Sequence, residues 1–272
     1  MCGSLNSGLR DLPRIIMARV WSGMRRQLTM KTDLSGKTAI VTGGGKGYGA
    51  GIAAALAAQG VNVWITGRDP AALEAAASEL GVKAVRADAS LSEDWDRVFD
   101  TVLAGAGRLD ILVNNAGGAM RIAHVIDTTD EEIEQSIAVN LTGAIFGCRR
   151  AAAVMKRQRS GTIVNVSSVC QKQAWPGWSL YSAAKAGLAQ FSTGLYTELR
   201  EYGVRVTTLI PSWGNTGFLD AAGLPPFSTD IGERCIQPAE LGDLVVTICE
   251  LPAHLEIQDL TVWPLVQKVE PL

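Results

Sequence analysis

From Lys37 onward the chain alternates short β-branched runs with longer Ala- and Leu-rich runs, and this alternation restricts the fold more than any other feature. Lys37–Thr42 reads as a strand, Gly47–Gln59 as a helix and Val61–Thr66 as a second strand. Further strands are predicted at Val82–Ala87, Leu109–Val113, Gly161–Ser167, Val204–Ile210 and Leu255–Trp263. Continuous apolar strands separated by helices are what a parallel sheet covered on both faces requires. The predicted fold is therefore α/β, a doubly wound parallel sheet of about seven strands. Ligands bind such sheets outside the carboxyl ends of the strands, so the loops that follow them are where chemistry is expected. No Pro/Ser-rich linker interrupts the pattern, and residues 31–272 read as one domain.

Composition narrows the function classes. The chain is 47% hydrophobic and 19% charged, enough apolar material for one core without a run long enough to span a membrane. Net charge is −2 and the basic residues are scattered apart from one stretch at the front, so nucleic acid is not an expected partner. Five cysteines without CxxC spacing fit a reduced, cytoplasmic setting. The two histidines, His124 and His254, are far apart, which leaves little from which to build a metal site or a His-based triad. No metal is expected. Residues 1–30 stand apart, with Arg10, Arg14, Arg19, Arg25 and Arg26 against the single acid Asp11. A disordered or dispensable extension is the favoured reading. An organelle-targeting segment, a surface arm and an upstream start with Met30 as the working start are its competitors.

The first loop reads Thr42-Gly43-Gly44-Gly45-Lys46-Gly47-Tyr48-Gly49 and joins a predicted buried strand to a helix. Glycine permits positive φ and a close backbone approach to a pyrophosphate, and the helix N-terminus behind it supplies free N–H groups. At the end of the second strand, where an acid would bind ribose hydroxyls and repel a 2′-phosphate, stand Gly67 and Arg68, with Lys46 on the same side. Two cations and no acid favour NADP(H) over NAD(H), with Asp69 the nearest acid that could reverse the preference.

The T-G-x-x-x-G-x-G spacing of Gly43, Gly47 and Gly49 resembles that of the short-chain dehydrogenase/reductase family, and the likeness continues along most of the chain. Asn114-Asn115-Ala116-Gly117 is similar to its N-N-A-G segment, and Asp88 and Ala89 fall where the family contacts the adenine ring. Tyr181 and Lys185 lie four apart in a helix-forming run, Ser168 lies thirteen residues before Tyr181, and Asn140 twenty-eight before Ser168. These spacings resemble the Asn-Ser-Tyr-Lys tetrad of the family. The resemblance implies a Rossmann-type enzyme (EC 1.1.1.-) that moves a hydride between nicotinamide and a carbonyl or secondary alcohol. Tyr181 would transfer the proton, and Lys185 would lower the phenol pKa and hold the ribose. Ser168 would steady the substrate oxygen, and Asn140 would kink its helix and anchor a water. Pro211 and Thr216 match the P-G-x-x-x-T segment that holds the carboxamide, with Ser212 in place of its glycine.

The loops after the later strands carry Met120, Trp175, Trp178, Trp213, Phe218, Leu219, Leu224 and Phe227, with a lid predicted around residues 212–233. Such walls fit a hydrophobic small molecule, while Arg121 and Lys172 offer cations for an anionic tail. A homodimer or homotetramer is expected, although the C-terminal Leu260–Leu265 lacks the Asp-Gly-Gly ending of family tetramers. A same-fold epimerase or dehydratase, or a non-catalytic NADP(H)-binding regulatory protein, are the competing readings.

Overall fold

The structure, a computed structural model, describes residues 31–118 and 121–268. The predicted extension at residues 1–30 and the predicted wall residue Met120 lie outside the described residues. In chain order the elements are β1 (Thr38–Thr42), α1 (Gly47–Ala58), β2 (Asn62–Gly67), α2 (Pro70–Leu80), β3 (Lys83–Arg86), α3 (Ser92–Ala106) and β4 (Ile111–Asn114). There follow α4 (Asp130–Ile137), α5 (Gly143–Gln158), β5 (Gly161–Val166), α6 (Ser179–Leu199) and β6 (Val204–Pro211). Two short helices, α7 (Phe218–Ala221) and α8 (Thr229–Arg234), precede α9 (Pro238–Glu250) and β7 (Asp259–Val262).

All seven strands pair in parallel in the order β3-β2-β1-β4-β5-β6-β7. Successive side chains of a strand point to opposite faces, so each strand feeds two cores. Ala39 and Val41 of β1 join Ile52, Leu56, Leu241 and Val245 under α1 and α9. Ile40, between them, joins Trp95, Phe99, Met155 and Leu195 under α3, α5 and α6. This is why the sequence shows no strand alternation: both faces are covered.

Two strands begin more than one residue later than the sequence expectation, for the same reason. Leu109 lies outside β4 because the Gln158 side chain takes both its backbone groups, accepting from its N–H at 3.1 Å and donating to its carbonyl at 2.7 Å. The last strand is confined to Asp259–Val262, and ahead of it the Glu256 carboxylate accepts from the Val206 N–H at 3.2 Å and the Thr207 hydroxyl at 3.0 Å. A side chain there satisfies what a longer backbone ladder would have satisfied.

The direction of winding reverses between β1 and β4, so the loops leaving their carboxyl ends diverge and open a crevice. Among the described residues no helix is long and apolar enough to cross a membrane.

Candidate active site

One wall of the crevice is the glycine turn between β1 and α1. Gly43 and Gly47 have φ of 66° and 54°, the left-handed region open to glycine. A Cβ on Gly49 would collide with the Gly43 carbonyl and come within 2.7 Å of Asn115 Nδ2, so the turn can close this tightly only without a side chain there. The N-A-G segment is stitched to the same turn. Thr42 Oγ1 accepts from the backbone N–H of Asn115 at 3.0 Å and of Ala116 at 2.9 Å, while Asn115 Nδ2 donates to the Thr42 carbonyl at 2.9 Å. The turn leaves the first N–H groups of α1 facing the crevice without an acid in the first helical turn, an arrangement that fits a dinucleotide pyrophosphate.

At the tip of β2, Gly67 is followed by Arg68, whose guanidinium is exposed and 4.0 Å from Asp88 Oδ2. Lys46, at the start of α1, is exposed. Asp69 is committed elsewhere: its carboxylate caps α2, accepting from the backbone N–H of Ala71 at 3.0 Å and Ala72 at 3.2 Å ahead of Pro70. Asp88 in turn accepts from the Ser90 hydroxyl at 2.7 Å, and the Ala89 carbonyl accepts from Trp95 Nε1 at 2.9 Å.

The opposite wall brings the four tetrad positions together. Asn140 stands in a five-residue π segment, Ala138–Thr142, between α4 and α5. Its Nδ2 donates to the carbonyl of Ser136, four residues back, at 3.0 Å, so a side chain substitutes for a regular helical bond at the bend. The same amide binds Gly118 twice, accepting from its N–H and donating to its carbonyl, both at 2.9 Å. A Cβ on Gly117 would lie 2.7 Å from Asn140 Oδ1 and 3.2 Å from Lys185 Nζ, so these groups converge on the bare backbone of that glycine.

Tyr181 and Lys185, one turn apart on α6, are 8% and 4% exposed. Lys185 Nζ donates to the Val166 carbonyl at 2.9 Å and lies 5.7 Å from the Tyr181 ring centre. Burial lowers the ammonium to about 8. Burial pushes the Tyr181 phenol well above its ordinary range, the neighbouring Cys170 thiol adds to that, and the Ser168 hydroxyl works against it. Among the described residues Ser168 Oγ accepts a 3.2 Å contact from the Cys170 N–H. Ser167 is used structurally, its hydroxyl 2.7 Å from Gln171 Oε1 and 3.1 Å from the Lys185 carbonyl. The two adjacent serines thus have different surroundings.

Over residues 37–223 the chain matches the short chain dehydrogenase family. It belongs to that family. It is 40% identical over 221 residues to a 3beta-hydroxysteroid dehydrogenase 1 of Eggerthella lenta, covering 78% of this chain and 84% of the relative. Two solved structures superpose with TM-scores of 0.78: the closed form of a serine dehydrogenase complexed with NADP+ (28% identical, 86% of this chain and 98% of that one). The other is an alcohol dehydrogenase from the archaeon Thermococcus sibiricus complexed with 5-hydroxy-NADP (25% identical, 86% and 99%).

As a short chain dehydrogenase the protein is an oxidoreductase, and its individual character lies around Tyr181. Trp178 stacks on Phe218 of α7 with ring centres 6.1 Å apart and planes within 8°, and both rings meet Tyr181 edge-on at 5.9 and 5.7 Å. Trp175 is partly buried in the preceding turn, its carbonyl accepting from the Trp178 N–H at 3.1 Å. Trp213 turns instead to Phe227, 4.9 Å away, and is 38% exposed. Leu219 and Phe227 line a cleft of about 340 Å³ together with Asn215 and Thr216, which follow Pro211 at the end of β6. Arg121 is occupied by Glu132, with two 3.0 Å contacts, so it is not the loose cation that the sequence offered for an anionic tail. Sequence reasoning missed Cys170 and Tyr48. A thiol two residues past a serine carries no pattern, and Tyr48 sits in a motif valued for its glycines.

Proposed function

We propose that this enzyme uses NADP(H) to interconvert a carbonyl and a secondary alcohol on a hydrophobic small molecule. The observation that carries the reading is the convergence of Asn140, Lys185 and Gly117 beside a buried Tyr181 roofed by Trp178 and Phe218. The glycine turn with Gly43, Gly45, Gly47 and Gly49 would hold the pyrophosphate, and Asn115, Ala116 and Gly117 the adjoining ribose. Asp88 and Ala89 would face the adenine, while Pro211 and Thr216 would face the carboxamide. A bound nicotinamide would supply or accept the hydride. Tyr181 holds its proton at neutral pH and gives it to the substrate oxygen during reduction, while Ser168 donates to that oxygen as its charge develops. Lys185 binds the nicotinamide ribose and, once that charge is near, restores the phenol.

The preference for NADP(H) rests on Arg68 at the tip of β2 and Lys46 at the start of α1 being exposed while Asp69 is consumed as a helix cap. The two NADP-bound relatives support it. The apolar substrate rests on the aromatic roof and agrees with the steroid dehydrogenase among the relatives.

The test is NADPH consumption with a panel of ketones from small aliphatic to 3-ketosteroid, in the wild type and in Arg68→Ala. A charge-assisted phosphate contact is worth about 1.5–3 kcal/mol, so the variant should bind NADPH roughly ten- to a hundredfold more weakly and NADH unchanged. Equal loss for both cofactors would refute the assignment of Arg68, and no consumption with any ketone would refute the reaction class.

A further inference from the structure

Tyr48 is the second residue of α1 and leans across the crevice onto the segment that follows β6. A Cβ on Gly214 would collide with the Tyr48 hydroxyl and lie 3.1 Å from its Cε2, so the absence of a side chain at Gly214 makes the slot that the phenol fills. The two loops touch beside it as well, where a Cβ on Gly47 would meet Thr216 Cβ at 3.4 Å. Gly214 is fixed in place by a parallel bridge to Ile236, and its carbonyl accepts from the Thr216 N–H at 3.0 Å.

The hydroxyl itself is buried and has no hydrogen-bond partner among the described residues. Leaving a buried donor and acceptor unpaired costs stability, and phenylalanine would fill the same slot without that cost. The orphan sits next to Gly214, two residues before Thr216, and a charge on Tyr48 would be felt at Tyr181. The phenol therefore lies between the segment that carries Thr216 and the start of α9, where charges on Cys235 and Glu240 would also be felt by it.

We infer that the Tyr48 hydroxyl is a cofactor-positioning group, which hydrogen-bonds the nicotinamide carboxamide and so completes its own bonding only when the dinucleotide is bound. This rests on the reading of the crevice as an NADP(H) site. Gly214 is the second half of the device, because any side chain there would displace the ring.

Two ligands separate the ends of the dinucleotide: NADP+ and adenosine 2′,5′-bisphosphate, which lacks the nicotinamide half. Binding of each to full-length wild type and Tyr48→Phe is measured by calorimetry, with the melting temperature of each ligand-free protein. The Tyr48→Phe protein should melt no lower than wild type. It should bind NADP+ roughly five- to tenfold more weakly, the loss of one hydrogen bond, and the bisphosphate equally well. Gly214→Ala, which displaces the ring rather than deleting the hydroxyl, should weaken NADP+ in the same selective way. Unchanged NADP+ affinity in Tyr48→Phe, the same loss for both ligands, or a lower melting temperature of the free variant would each overturn the role. If the wild type binds neither ligand, the NADP(H) site itself is wrong and this role falls with it.

Discussion

In the free enzyme Tyr181 is a buried phenol, and Lys185 is a cation kept where charge is expensive. The phenol is pushed up chiefly by burial, so it carries its proton at any ordinary pH. Tyr181→Phe keeps the ring against Trp178 and Phe218 and should keep the fold, while turnover falls by about 10²–10⁴ and NADPH affinity holds. Near-normal carbonyl reduction by the folded, cofactor-saturated variant would remove Tyr181 from the mechanism. Lys185 titrates near 8 when folded against an ordinary 10.5, so the unfolded chain binds that proton more tightly. Its ammonium costs stability below pH 8, and the cost fades as the pH rises to 10.5. Lys185→Met should therefore melt higher than wild type at pH 7, with the gap closing across that window, while losing activity. A gap that stays constant with pH would show that packing and not charge explains it. The proximity of the four tetrad positions was legible in spacings that resemble those of the family. That Lys185 donates to the Val166 carbonyl was not, because a backbone acceptor leaves no mark on the sequence.

Between elements, the joint at the start of β1 and β4 is made by one carboxylate. Asp110 is 3% exposed, accepts from the Thr38 N–H at 3.0 Å and holds both Arg108 Nε at 2.7 Å and Nη2 at 2.6 Å. Burial alone would raise its pKa, but Arg108, the Thr38 N–H and Lys37 together hold it below the ordinary 3.8. A depressed carboxylate stabilises the fold above its unfolded pKa and stops doing so as the pH falls through its folded value. Asp110→Asn should cost about 1–3 kcal/mol at pH 7 by urea denaturation, with the deficit shrinking below pH 4. A deficit independent of pH would mean the amide fails sterically. Strand existence was readable because apolar β-branched runs must be buried on both faces, whereas the ends of β4 and β7 were not. Gln158 acts on Leu109 from 49 residues away, and Glu256, just ahead of β7, takes up Val206 of β6, 50 residues away.

For the molecule as a whole, the described chain begins with a clasp. Thr32 donates from its N–H to the Glu250 carbonyl and from its hydroxyl to the Leu251 carbonyl at 2.9 Å, and Leu34 enters the core at 4% exposure. A chain starting at Met30 should keep the wild-type melting temperature, whereas one starting at Ser35 should melt several degrees lower; calorimetry of the two decides. A large drop for the first would give residues 1–29 a role in the fold. The strand order and the crevice at its reversal follow from the class of fold, but the substrate does not, and the reason lies in the segment that carries Phe218. The backbone bonds of Ala221, Ala222, Gly223 and Leu224 all run to residues 217–220, within the segment itself. A loop that satisfies its own polar groups can be lengthened, shortened or exchanged without stranding an N–H in the frame beneath it. Descent can therefore rewrite the diet of such an enzyme as a replaceable cassette while the chemistry below is inherited intact.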